Sequence, residues 1–347
     1  MSTNPISPHT RLYWLDTIRV LACFLVCLRH SLIPPPNGQG SLWLSAYNYL
    51  SAPCIGLFFM VSGALLFPVK LDIRTFISKR LLRIGIPLLF WSAIWVIIFC
   101  LTGKIEFNEA IRAFLLFPFK AVTGVYWFMY TIFGLYLFAP IISPAISNEK
   151  VARYFLILWG VTLTLPYINA WLPNYWNLTG DVTHPLFEFS GYLGYMVLGY
   201  YLRYHLPSWK NFIFKICIPG CFLAIIIPLY FLSERHTNIT NDMLYGFLTI
   251  NIAGLCIIYF IGLALLSRLI PIEGKSIKVL QDFSVKSFGI YLIHILVLHE
   301  FSWHVWKFFF PNTGYLIQIP AVAIVTFILS YIIIKLISFI PGSKYIF

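Results

Sequence analysis

The chain has 347 residues, 60% of them hydrophobic and only 10% charged, with a mean hydropathy of +0.83 and a formal net charge of +12. Soluble domains carry about 25% charged residues, so this composition excludes a chain that hides its apolar surface in one water-soluble core. The basic residues fall mostly between hydrophobic runs, which assigns the positive excess to membrane topology and not to nucleic acid.

Apolar runs of roughly 20 residues recur along the chain, the length that an ~30 Å hydrocarbon core requires. Runs such as Leu88–Leu101 and Ile319–Ile334 are continuously apolar, unlike the alternating strands of a membrane barrel. In chain order the expected spans are Tyr13–Ile33, Trp43–Phe67, Leu82–Leu101, Tyr126–Ile146 and Tyr154–Leu172. Leu186–Leu202, Phe212–Leu232, Leu244–Leu266, Ser287–Phe310 and Tyr315–Ile340 follow. Ala110–Phe119 reads as a short interfacial helix, with Arg112 and Lys120 beside Phe114, Leu115 and Phe117. The expected fold is an all-α polytopic membrane protein of about ten transmembrane helices, one domain over residues 1–347. The first apolar run carries Asp16, Arg19, Arg29 and His30, with no small-residue cleavage site after it. It is therefore expected to be a retained span and not a signal peptide.

With the N terminus inside, the inner segments hold 17 of the 24 Lys and Arg residues, the outer segments six, and the first span one, Arg19. By the positive-inside rule both termini are cytoplasmic. The seven cysteines (23, 27, 54, 100, 217, 221 and 256) lie almost all inside apolar runs and outline neither a disulfide framework nor a metal site.

The first span holds the most informative residues. Arg19 and His30 are eleven residues apart, ~20° in azimuth and ~16 Å along a helix, so they share one face. Asp16 precedes Arg19 by three residues and can pair with it. Ionisable groups inside a span are costly and mark a pathway or a site. The bland alternative is a snorkelling Arg19 and a satisfied interfacial His30. In the functional reading Arg19 holds a phosphate at the cytoplasmic mouth, and His30 serves as general base farther up. A phosphopantetheine arm would run between them. Arg29 is expected to point toward lipid headgroups.

These residues carry a resemblance. Leu15–His30, LDTIRVLACFLVCLRH, resembles the first-helix signature of the membrane acyltransferase-3 family. Phe58–Leu66 (FFMVSGALL), Lys79–Pro87 (KRLLRIGIP) and Ser287–His294 (SFGIYLIH) resemble further segments of the same family, in the same order. The resemblance implies transfer of an acyl group, most often acetyl from acetyl-CoA, to a carbohydrate hydroxyl by a multi-pass protein of the cytoplasmic (inner) membrane. It implies His30, with Asp16, as catalytic, and Arg19, Arg80 and Arg83 as donor-binding. Neither a metal nor a nucleic-acid partner is expected, since the sequence shows no metal-ligand spacing and no nucleic-acid motif. One departure is GVYWFMY (Gly124–Tyr130), where family members often carry a histidine before the tryptophan. Tyr126 and Trp127 stand there as candidates instead.

Other candidates have structural alternatives. Arg80 and Arg83 can be positive-inside anchors, and Ser62-Gly63 can be close helix packing. Ser287, Tyr291 and His294 share a helix face and can form an interhelical hydrogen-bond network. Glu300 and His304 can pair at i, i+4, but the spacing from His299 is not that of a zinc hydrolase. Asp181, His184 and Glu188 fit an acceptor-binding mouth or a plain exposed loop. The competing function is a secondary transporter or flippase for a glycan or small polar solute, whose buried ions would resemble these. A non-catalytic membrane sensor is third.

Overall fold

The computed structural model describes residues 12–32, 42–171, 185–204, 244–269, 274–310 and 313–347. Among them every regular element is helical. The elements are α1 (Tyr13–His30), α2 (Leu42–Ser51), α3 (Cys54–Leu66), α4 (Ile73–Leu101), α5 (Phe107–Leu115), α6 (Trp127–Ile146) and α7 (Glu149–Thr162). Then come α8 (Leu165–Trp171), α9 (Leu193–Tyr204), α10 (Ile250–Leu269), α11 (Lys275–Val297), a π-helical segment (Leu298–Ser302), α12 (Trp303–Phe309) and α13 (Tyr315–Ile337).

Among the described residues seven helical stretches are long and apolar enough to cross a membrane: Trp43–Leu66, Ile73–Leu101, Gly124–Ile146, Glu149–Ile168, Ile250–Ser267, Lys275–Phe309 and Tyr315–Ile337. The other three expected spans differ in kind. α1 is 18 residues long but carries Asp16, Arg19 and Arg29. The expected Leu186–Leu202 span is a 3-10 turn, Phe187–Phe189, followed by the 12-residue α9. The expected Phe212–Leu232 span, with Cys217 and Cys221, lies outside the described residues.

The charged residues of α1 explain its place. It packs against α3, α10, α11 and α13, and this surround keeps Asp16 and Arg19 away from hydrocarbon. Ala22, Cys23 and Cys27 are fully buried, small side chains that let the neighbouring helices approach. Large apolar side chains such as Ile141, Ile157 and Leu336 stay exposed, as a lipid solvent allows.

Several boundaries move for identifiable reasons. The second expected span breaks into α2 and α3 at Ala52-Pro53, because proline has no N–H to continue the ladder. α4 starts at Ile73, nine residues before the expected Leu82, because the Asp72 carboxylate caps it by accepting from the Thr75 N–H at 3.0 Å. Arg74, Lys79 and Arg80 are therefore helical and not part of a loop. α11 starts at Lys275, twelve residues before Ser287, which brings Ser284 onto the helix that carries His294. The interfacial helix is Phe107–Leu115, slightly earlier than expected.

Candidate functional site

α1, α3, α4, α6 and α11 enclose a cavity of about 240 Å³. Arg19, Ser62, Arg80, Arg83, Ser284, Ser287 and Tyr291 line it, with apolar walls from Phe58, Phe128 and Phe288. Ser284 and Tyr291 are seven residues, about 10 Å, apart on α11, so the cavity runs along the bundle.

Its basic part is built in two ways. The buried Asp16 accepts from the Ser284 hydroxyl at 2.5 Å, and Arg19 Nη1 donates to Ser284 Oγ at 3.3 Å and lies 3.9 Å from Asp16 Oδ1. A serine has one hydroxyl proton, so with that proton on Asp16 its oxygen is free to accept from Arg19. Arg80 is held by ring faces, with its guanidinium 5.5 Å from the Phe76 centroid and 5.2 Å from that of Tyr136. Arg83, one turn on, is exposed. Among the described residues neither Arg80 nor Arg83 pairs with a carboxylate. Three guanidiniums thus face one cavity against a single acid, an arrangement suited to a polyanion.

Beyond the cavity α1 and α11 carry two histidines, His30 and His294. Tyr291 lines the cavity, and its hydroxyl is taken up by the Val125 carbonyl. One turn on, His294 is fully buried, and its Nδ1 lies 2.5 Å from the Tyr291 carbonyl. The rings of His294 and His30 are 5.1 Å apart, centroid to centroid. His30 itself is exposed. After His294 the helix widens into the π-helical segment, where Thr326 Oγ1 donates to Ser302 Oγ at 2.8 Å.

The structure therefore brings Arg19, Ser62, Arg80, Arg83, Ser287 and Tyr291 together, and sets His30 beside His294. It separates others. Asp16 lies with Arg19 and Ser284, fourteen residues and about 21 Å of helix rise from His30, so it touches the basic end and not the histidine. Tyr126 is fully buried, its hydroxyl donating to the Leu292 carbonyl at 3.1 Å. Trp127 packs on Phe247 and Tyr192. Glu300 is exposed in the π-helical segment, and among the described residues it forms no ion pair with His304. Glu188 is exposed; Asp181 and His184 lie outside the described residues. Arg29 does not reach for headgroups: it donates to the Asn48 carbonyl at 2.8 Å and the Tyr245 carbonyl at 3.2 Å, and sits 5.5 Å from the Phe247 ring. Sequence reasoning missed Ser284 and Tyr136. Ser284 lies on a helix whose true start was not visible, and Tyr136 lies within the expected Tyr126–Ile146 span, where it reads as one more aromatic of an apolar helix.

A family model described as an acyltransferase domain matches residues 12–335, reaching from the first residue of the described bundle to the last turn of α13. The chain belongs to the membrane acyltransferase-3 family. Neither the curated proteins nor the solved structures contain a significant match. In this membrane acyltransferase the matched stretch contains every residue that lines the three-arginine cavity, and both His30 and His294.

Proposed function

We propose that this acyltransferase moves an acetyl or similar short acyl group from cytoplasmic acyl-CoA to a hydroxyl of a cell-surface or lipid-linked saccharide. The observation that carries the reading is the three-arginine cavity, whose lining ends at Tyr291, one helical turn before His294 and its neighbour His30. The donor's phosphates meet Arg19, Arg80 and Arg83, where bidentate guanidinium contacts are strong. The pantetheine arm lies along the apolar walls. Arg19 and His30 are ~16 Å apart along α1, a distance that suits a long flexible arm with its thioester beside His30.

His30 takes the proton of the acceptor hydroxyl as the oxygen attacks the thioester carbonyl. The carbon–sulfur bond of the resulting tetrahedral species then breaks. The thiolate leaves and recovers the proton from His30, giving ester and free CoA. Asp16 and Ser284 orient Arg19 and do not handle this proton.

The test uses the purified protein in detergent, with acetyl-CoA binding and CoA release measured against saccharide acceptors. His30→Ala is expected to keep donor affinity and to lose roughly 10²–10⁴-fold in transfer, the usual worth of a general base. Arg19→Ala is expected to weaken donor binding about tenfold. Full transfer by His30→Ala would remove the base from this role. Solute uptake by proteoliposomes without CoA release would favour the transporter instead.

A further inference from the structure

We infer that His294 is the positioning residue for His30: its Nε2 accepts the ring N–H of His30 and thereby fixes which nitrogen of His30 faces the acceptor hydroxyl. The inference rests on the acyl-transfer reading for its purpose, but its geometry stands apart from it.

The argument starts from what each nitrogen of His294 can do. Nδ1 lies 2.5 Å from the Tyr291 carbonyl. A carbonyl oxygen only accepts, so Nδ1 carries the proton, and in the neutral ring Nε2 is a lone-pair acceptor. That acceptor is buried and has no hydrogen-bond partner among the described residues. A buried polar atom without a partner costs free energy and asks for an explanation. Two rings stand against His294, those of Tyr291 at 5.5 Å and His30 at 5.1 Å. The Tyr291 hydroxyl is already given to the Val125 carbonyl. His30 remains as the neighbouring donor. In-plane N–H···N contact between two imidazoles places their centroids about 5 Å apart, so the observed separation already fits. The rings stand at 51° to each other, and the inferred bond requires His30 to turn its N–H onto Nε2.

Burial decides between two roles. Nε2 of His294 is sealed inside the protein, so a saccharide cannot reach it. His30 is exposed and can touch substrate. His294 therefore acts through His30 and not on the sugar. When its N–H is held by His294, His30 presents its other nitrogen, unprotonated, to the acceptor. That nitrogen takes the hydroxyl proton, and the charge that develops on the ring is shared with the His294 lone pair. The Tyr291 carbonyl completes the chain, so the residue that lines the donor cavity also holds the imidazole that sets the tautomer. Outer partners of this kind are generally worth 10–100-fold.

The experiment compares His294→Gln, whose side-chain oxygen can still accept, with His294→Leu, which fills the space without an acceptor. Each is purified in detergent with ¹⁵N-labelled histidine, and His30→Gln identifies the His30 signals. The wild type is expected to show one His30 tautomer. His294→Leu is expected to show a mixture and a 10–100-fold lower kcat for transfer, with acetyl-CoA affinity and acceptor KM unchanged. His294→Gln is expected to restore both the single tautomer and much of kcat. A purely structural role predicts the reverse order, with the apolar variant the milder one. An unchanged His30 tautomer in His294→Leu overturns the inference, as does better transfer by Leu than by Gln. If His294→Leu fails to fold, His294→Met takes its place under the same criteria. The tautomer signals need no substrate. A His30 that responds to His294 in a protein that transfers no acetyl would therefore support the pairing while removing the acyl-transfer reading.

Discussion

Asp16 is read from the sequence both as a partner of Arg19 and, with His30, as a catalytic candidate. In space it belongs to Arg19. Its carboxylate accepts from the Ser284 hydroxyl at 2.5 Å, and the serine oxygen in turn accepts from an Arg19 N–H at 3.3 Å. This three-residue link fixes a flexible cation on the cavity wall. Ser284→Ala should loosen it. A hydrogen bond to a charged group is worth about 1.5 kcal/mol, which is roughly tenfold in affinity. Acetyl-CoA affinity, measured by calorimetry, is thus expected to fall about tenfold in Ser284→Ala, with kcat at saturating donor unchanged. A loss confined to kcat would show that Ser284 serves the chemistry and not Arg19. The pairing of Asp16 with Arg19 was legible, since i, i+3 spacing places them together on any helix. Ser284 was not, because its partners stand more than 260 residues away and no local pattern reports such a contact. Arg29 was misread for the same reason. Its carbonyl partners, Asn48 and Tyr245, belong to other elements.

At the level of elements, Ser62 and Gly63 divide between them the two roles that the sequence left open. Ser62 lines the cavity. Gly63 sits where α3 crosses α9: a Cβ there would meet the Met196 carbonyl oxygen at 1.9 Å. One turn away the contact is reciprocated, and a Cβ on Gly199 would meet the Met60 oxygen at 2.0 Å. Backbone meets backbone, so neither side can yield by rotating a side chain. Small residues at helix crossings are how membrane helices gain close packing without a hydrophobic driving force. Gly63→Ala should force α3 and α9 apart and destabilise the protein by about 1–3 kcal/mol, the usual cost of overpacking. Gly262→Ala is the control, since nothing lies within 4 Å of a Cβ there. It should be neutral or slightly stabilising, because alanine has the better helix propensity. Thermal unfolding in detergent separates the two, and equal midpoints would contradict the crossing. The existence and type of these helices were legible from long apolar runs. Their ends were not, since they depend on single residues such as the Asp72 cap and Pro53, which apolar periodicity does not see.

For the whole molecule, the functional reading requires two-sided access. The donor's nucleotide must come from the cytoplasm, while the acyl group is delivered at the far side. On the ten-span reading the Lys and Arg asymmetry predicts the direction: the segments on the Arg80–Arg83 side would hold 17 basic residues and those on the opposite side six. The charge bias was readable without any fold, because it needs only the order of spans. The cavity was not, because it takes five helices to enclose it. Both meet at Arg80 and Arg83, which contribute to the bias and also line the cavity. The basic end of the cavity should therefore face the cytoplasm. Lys104, just past the far end of α4, and Lys278, in the first turn of α11, test this. In a cysteine-free background, Lys104→Cys is expected to react with a membrane-impermeant maleimide on intact cells. Lys278→Cys is expected to react only after permeabilisation. The reverse pattern would place the three arginines outside, away from any cytoplasmic donor. The positive-inside bias and the acyl-CoA reading would then fail together, because both rest on those same side chains.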